Sequence, residues 1–422
     1  MKRVHLRRWL LLGAAAATAT SAALVACSQP YSAAVDAPPD GAPPSEAGSE
    51  AAVVDAAVSD PCQHVRAPTP PAIDDAPGDA LPPFYLAVRQ ITLTNQKDKI
   101  AGYDLDGVCT CESRPDTAHG GVPSCISSKP SCDLDGGIDN AVSVLAAQLS
   151  PFFSLDALPQ RLIDKGRRTL LIEIGKYNGR RNDKEIAFAV ALADGIYAQG
   201  CPTSTVNPVR GFWTPGWCGD DVWSFLPEAV VPATNQPLVQ GLGFVHDGIL
   251  SLQLQGSLLL PFDESSVLPL GGAVITGALT PLGEDLLPRD PARAPTDREK
   301  RLFSLDNALV GGRIKATQLL AALGTIDTST GDAGPAYLCE QAGFAVAKQG
   351  VCDAVDLSST QALDFDPQAK CDSLSVGIGF SAFPALAGDV RGATTAVNPC
   401  SAGADGEPAD AGPDPPYRCV AP

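Results

Sequence analysis

The chain has 422 residues, is 45% hydrophobic, and carries 30 Lys and Arg against 48 Asp and Glu for a net charge of −18. That balance argues against a nucleic-acid partner, because binding a polyanion relies on clustered basic side chains. The length accommodates two globular domains, since single cores stop growing near ~250 residues. With 40 glycines and 38 prolines, turns and short strands are favoured over long helices, so the expected class is β-rich.

Residues 1–27 consist of a basic start (Lys2, Arg3, Arg7, Arg8), an apolar run from Trp9 to Ala26, and Cys27. That order is the order of a secretory signal peptide. Leu24-Val25-Ala26-Cys27 resembles the lipobox of bacterial lipoproteins, in which the cysteine is acylated and becomes the new first residue. The resemblance implies a palmitate-type lipid anchor at Cys27 that holds the protein on a membrane. Two or more acyl chains give stable attachment, because each buried methylene contributes ~0.8 kcal/mol and one chain is marginal. Ser28 follows the cysteine where retention at the inner membrane would call for aspartate, so the same resemblance implies the outer membrane. An ordinary leader that leaves Cys27 as a thiol, or a transmembrane helix retained at the amino end, is the alternative.

From 28 to 79 the composition turns to Ala, Pro, Ser, Asp and Glu, with no Lys or Arg before Arg66. Such a stretch buries too little apolar surface to offset its ordering entropy. It reads as a disordered tether, stiffened locally by its proline pairs and extended by its negative charges.

A Cys/Asp-rich knot follows, from Tyr103 to Asn140, containing Cys109, Cys111, Cys125 and Cys132. The chain has 13 cysteines; without Cys27 an even number remains, which in an exported chain implies disulfides. Cys109 and Cys111 are too close to pair easily with each other, so their partners lie within the knot or at Cys62. Zinc is disfavoured, since the compartment is oxidising and His119 lacks zinc-finger spacing. Asp104 and Asp106 form one acidic turn, and Asp133, Asp135 and Asp139 form another around Gly136 and Gly137. Glycines let a backbone fold tightly enough for several carboxylates to converge, which is what hard calcium favours. The second turn resembles the end of an Asp-rich calcium loop of thrombospondin type 3 repeats. Ordinary turn chemistry, with Asp139 capping the next helix, is the other reading of the same residues.

The rest reads as a first β-rich subdomain over 80–235 and a second over 236–402, with a Gly/Pro/Asp-rich tail at 403–422. A helix is expected after Asp139, with Ala141, Val144, Leu145 and Leu149 at helical spacing. Strands are expected over Arg168 to Gly175 and Glu185 to Ala193, paired as a hairpin with a polar tip. Three of the four tryptophans, Trp213, Trp217 and Trp223, are interleaved with Asp220, Asp221 and Cys218. They form either a sugar-stacking surface or a satellite core stapled by Cys201 and Cys218. Further strands are expected at Ile249 to Leu254, Ser257 to Pro261, Ala273 to Leu279, Leu302 to Val310 and Ser373 to Phe380. Helices are expected near Ile314 to Leu323 and Tyr337 to Gly350, with a surface loop at 288–300.

Catalytic patterns are sparse. His246-Asp247 lacks a nucleophile elbow, and pairs such as Glu284/Asp285 or Asp220/Asp221 do not by their spacing show glycosidase geometry. Lipobox, tether and Cys-Asp-rich start together resemble the surface lipoproteins abundant in myxobacteria, which implies location and no substrate. The expectation is therefore a β-sandwich-like protein with a few short helices, two packed subdomains and several disulfides. It is expected to act in the cell envelope by binding or as a structural component, without catalysis. A carbohydrate-binding protein or glycosidase, and a carrier of an apolar ligand between sheets, are the alternatives.

Overall fold

The computed structural model describes residues 62, 64–75, 80–93, 101–111, 121–127, 129, 131–150, 154–155, 157–207, 211–264, 266–282, 302–328, 336–391 and 417–419. The signal segment with Cys27, the tether up to residue 61, His119, Glu284, Asp285, the loop at 288–300, Cys400 and most of the tail lie outside them.

The strands are β1 (Phe84–Thr92), β2 (Thr169–Gly175), β3 (Asp183–Ile196), β4 (Val222–Phe225), β5 (Val239–His246), β6 (Ile249–Gln253), β7 (Ser257–Pro261), β8 (Val267–Pro281), β9 (Phe303–Lys315) and β10 (Ser373–Val390). β1 pairs with β2, β2 with β3, β3 with β5, β5 with β6, β6 with β8, β8 with β9, β9 with β10, and β10 returns to β1. All these pairings are antiparallel, so eight strands close into a barrel. β7 continues the edge of β8 beyond β6, and β4 joins the ends of β3 and β10.

The expected β-rich class and the hairpin of β2 with β3 are present, with Thr169 opposite Ala193. The sandwich and the two subdomains are not. Strands from 80–235 and from 236–402 share one barrel, closed by pairing of the first strand with the last. The physical reason is curvature. Register shifts at Val88/Gln90, Phe380/Ala382 and Thr276/Ala278 bend long strands far enough for the sheet to meet itself.

Inside, alternate residues from six strands converge: Val88, Leu170, Leu260, Leu268, Val310 and Ile378 line one apolar cavity of about 50 Å³. Helix α1 (Ala141–Leu149) contributes Val142 to the same lining, α2 (Ala157–Asp164) Pro159, and α3 (Ala316–Gly324) Leu319. α2 leads into β2 and α3 leaves β9, so two of these helices sit at one end of the barrel. At that end the buried Arg168 side chain bonds Asp194 of β3 and the carbonyls of Asp263 and Ser266. This ties the start of β2 to the turn between β7 and β8.

Several boundaries move. Asn140 caps α1, accepting the Ser143 amide at 3.1 Å, which removes that role from Asp139. Ile314 remains in β9, and α4 (Gly343–Asp353) starts after a separate single turn at Leu338–Glu340. The stretch 64–75, expected within the tether, lies on the barrel. Asp75 accepts from the Asn182 amide at 2.8 Å, Asp74 from the Lys184 amide at 2.6 Å, and His246 Nδ1 meets the Thr69 carbonyl at 2.8 Å.

Candidate functional site

The knot is sewn by Cys62–Cys109 and Cys111–Cys132, and Cys125–Cys371 bonds it to the loop before β10. Its two acidic turns lie side by side. The Asp139 amide bonds the Tyr103 carbonyl at 3.0 Å, and the Leu105 amide donates to the Asp139 carboxylate at 2.6 Å. Gly107 and Gly136, at φ +84° in each case, turn the chain tightly enough for this.

The convergence expected of calcium-loop acids is present in part. Asp104, Asp106 and Asp139 each offer an oxygen, and these oxygens lie within 4.8 Å of one another. Asp133 stands beside them, held by the Thr110 amide at 2.6 Å. Asp135 is exposed and is not one of the acids whose oxygens converge. Asp356 also faces the group, from a loop more than 200 residues further along the chain. Its carboxylate accepts both the amide and the hydroxyl of Ser375.

Burial is the main force on these acids, because it disfavours the charged form. It raises Asp106 above the usual carboxylate range, and the charges of Asp104 and Asp364 add to it. Asp133 rises to about 8 and Asp356 to about 7, in each case through burial first and with repulsion from Asp106. Asp139 lies well above its ordinary value for the same reason, with Asp106, Asp133 and Asp356 all repelling its charge.

Basic groups border the cluster, the Arg66 guanidinium beside Gly107 among them. His64 Nδ1 pairs with Asp104, while Arg313 forks onto both oxygens of Asp364 at 2.7 and 2.6 Å and onto the carbonyls of Ser358 and Leu105. Cys62, His64 and Cys109 also lie together. Their two sulfurs are bonded to each other, so they supply no thiolate for zinc.

The tryptophan segment adopts the packed arrangement. Trp223 is fully buried, Trp217 lies 6.4 Å from it between ring centroids, and the Arg89 guanidinium covers the Trp217 ring at 5.7 Å. Trp213 is half-buried against the core. Asp221 is buried and occupied by the Gly216 and Trp217 amides at 3.0 and 2.7 Å; burial raises its carboxyl. Asp220 is partly exposed next to it. Cys201–Cys218 staples the segment as expected. His246 and Asp247 are 3.8 Å apart at an exposed turn, and the imidazole's Nδ1 is used by Thr69.

No protein-family model matches the chain, and neither curated proteins nor solved structures provide a match.

Proposed function

We propose that the protein is an exported, lipid-anchored component of the outer membrane, held through Cys27 and acting by binding or as a structural element of the envelope. The observation that carries this reading is where the chain first becomes covalently fixed. Cys62 is bonded to Cys109, and 64–75 is hydrogen-bonded along the barrel. An anchor at Cys27 is thus joined, through residues 28–61, to a body crosslinked by disulfides, the bonds favoured by an oxidising compartment. Those residues span roughly 120 Å at most.

The rival readings have less support. A sugar-stacking surface needs accessible indole faces, and Trp223 is buried while Trp217 lies under Arg89. An apolar cargo needs a pocket of ~300 Å³ or more, and the barrel interior offers about 50 Å³.

The test is fractionation of cells producing the parent chain or Cys27→Ser. The parent is expected in the membrane fraction and labelled by palmitate, and the variant soluble and unlabelled. A variant that still sediments with membranes overturns the anchor.

A further inference from the structure

We propose that Arg89, set beside the rings of Trp217 and Phe383, binds an oxyanion that offers two neighbouring oxygens, a carboxylate or a phosphate. Two independent observations carry this. The first is that the backbone leaves its regular form at both Arg89 and Trp217. Where β1 pairs with β10, Val88 faces Ala382 and Gln90 faces Ser381, so Arg89 is the extra residue of a bulge. The ladder to β2 ends before it, at Ala87. A bulge of this kind re-aims a side chain. The Gln160 side chain of α2 clips it in place, accepting the Ile91 amide at 2.9 Å and donating to the Arg89 carbonyl at 3.1 Å.

Trp217 has a left-handed backbone at φ 55°, a conformation unfavourable for a bulky residue and kept only where the surroundings enforce it. Here the buried Asp221 carboxylate accepts the Gly216 and Trp217 amides at 3.0 and 2.7 Å, and the Cys201–Cys218 bridge closes the next residue. The result is that the Arg89 guanidinium carbon lies 5.7 Å from the centroid of the Trp217 ring and 5.3 Å from that of Phe383 on β10. Merely covering two rings requires neither a clipped bulge nor a left-handed tryptophan.

The second observation is electrostatic. The chain has 48 acidic residues against 30 Lys and Arg, yet no carboxylate among the described residues pairs with Arg89, which is exposed. Its N–H donors make no hydrogen bond to a described residue either, because its contacts are with the two rings. Ring faces hold a cation by their quadrupole and leave those donors to an incoming group. Restraining a long side chain beforehand lowers the entropy lost on binding. The planar fork of the guanidinium matches the paired oxygens of a carboxylate or phosphate.

This site and the anchor at Cys27 stand independently, since neither experiment bears on the other. The mature protein is titrated with sodium phosphate and, separately, with sodium acetate, sodium chloride keeping the ionic strength constant. Tryptophan emission and calorimetry are both followed, so that a lost optical signal is not mistaken for lost binding. Saturable binding of at least one oxyanion is expected, with an emission change because Trp217 adjoins the guanidinium. Binding of phosphate alone assigns the ligand to phosphate esters, and of acetate alone to carboxylates. Arg89→Ala is expected to abolish binding, and Arg89→Lys to weaken it ~10-fold or more, since an ammonium lacks the fork. Circular dichroism checks that both variants fold. Arg180→Ala, at another exposed arginine, is expected to bind as the parent does. The site is overturned by an absence of saturable binding in the parent, by unchanged binding in Arg89→Ala or Arg89→Lys, or by an equal loss in Arg180→Ala.

Discussion

Gly311 of β9 and Gly377 of β10 are direct partners across the sheet, and each leaves room for a different part of the stretch 101–103 that leads into the knot. A side chain at 311 would enter the Tyr103 ring, and one at 377 would meet the carbonyl of Ala101 and the Cα of Gly102. A ring can tilt, but that backbone is pinned, because the Asn140 amide group donates to Ala101 at 2.6 Å and to Gly377 at 3.0 Å. Gly377→Ala is therefore expected to cost ~1–3 kcal/mol, and Gly311→Ala less. Urea midpoints of the two variants measure the difference, and equal losses would show that the knot moves as a unit.

Arg313 and Asp364 are each 6% exposed. Removing one partner of such a pair leaves a buried charge uncompensated, at ~3–5 kcal/mol. Arg313→Met should lose stability in that range. Arg313→Lys should also lose stability, because one ammonium cannot reproduce a planar fork that reaches Asp364, Ser358 and Leu105 together. A lysine variant as stable as the parent would contradict the bidentate geometry.

Burial pushes the Tyr103 hydroxyl up to about 12, against ~10 for an exposed tyrosine. The unfolded chain therefore loses this proton first. The contribution to stability is complete below pH ~10 and is lost as pH rises towards 12. Tyr85 and Tyr177 are also raised to about 12, so Tyr103→Phe should reduce the alkaline decline without abolishing it. Urea midpoints between pH 9 and 12 test this, and an unchanged slope counts against a buried hydroxyl at 103.

Cys201 and Cys218 are 17 residues apart, a loop whose closure is worth ~3 kcal/mol in the chain-entropy account. Replacing both by alanine should cost about that much and move native tryptophan emission to longer wavelength, because Trp217 and Trp223 pack beside the staple. Lost stability with unchanged emission would mean that the rings hold their places without it.

The strands were legible where apolar runs are bounded by turn residues. Thr169 to Ile174 is buried on both faces, and Ser257 to Pro261 has the expected bounds. Closure was not legible, because β1 and β10 pair residues as far apart as Tyr85 and Ala385 and nothing local to Phe84–Thr92 names its partner. Within the acidic site, Asp104, Asp106, Asp133 and Asp139 stood out through Asp-Gly turn spacing. Asp356 gave no such signal, since neither neighbour of Asp356 is acidic or glycine. Asp135 shared the spacing, but it is exposed and outside the group. The pairing of Cys125 with Cys371 could have brought the loop around Asp356 into view, but cysteine counting establishes parity and not partners.

By itself the sequence determined a cysteine-rich start and a β-rich body, and it carries the expectation of a leader with a lipobox-like end and a polar tether, all of which depend on order along the chain. Periodicity and composition act over a few residues, so these features survive without any partner. The tertiary structure decided what depends on distant segments meeting: one barrel in place of two subdomains, the burial of Trp223, and the docking of 64–75. It also gathered Asp104, Asp106, Asp139 and Asp356 into one group. Burial and like-charge repulsion arise only when remote residues share a space that water has left, and no spacing rule along the chain encodes that.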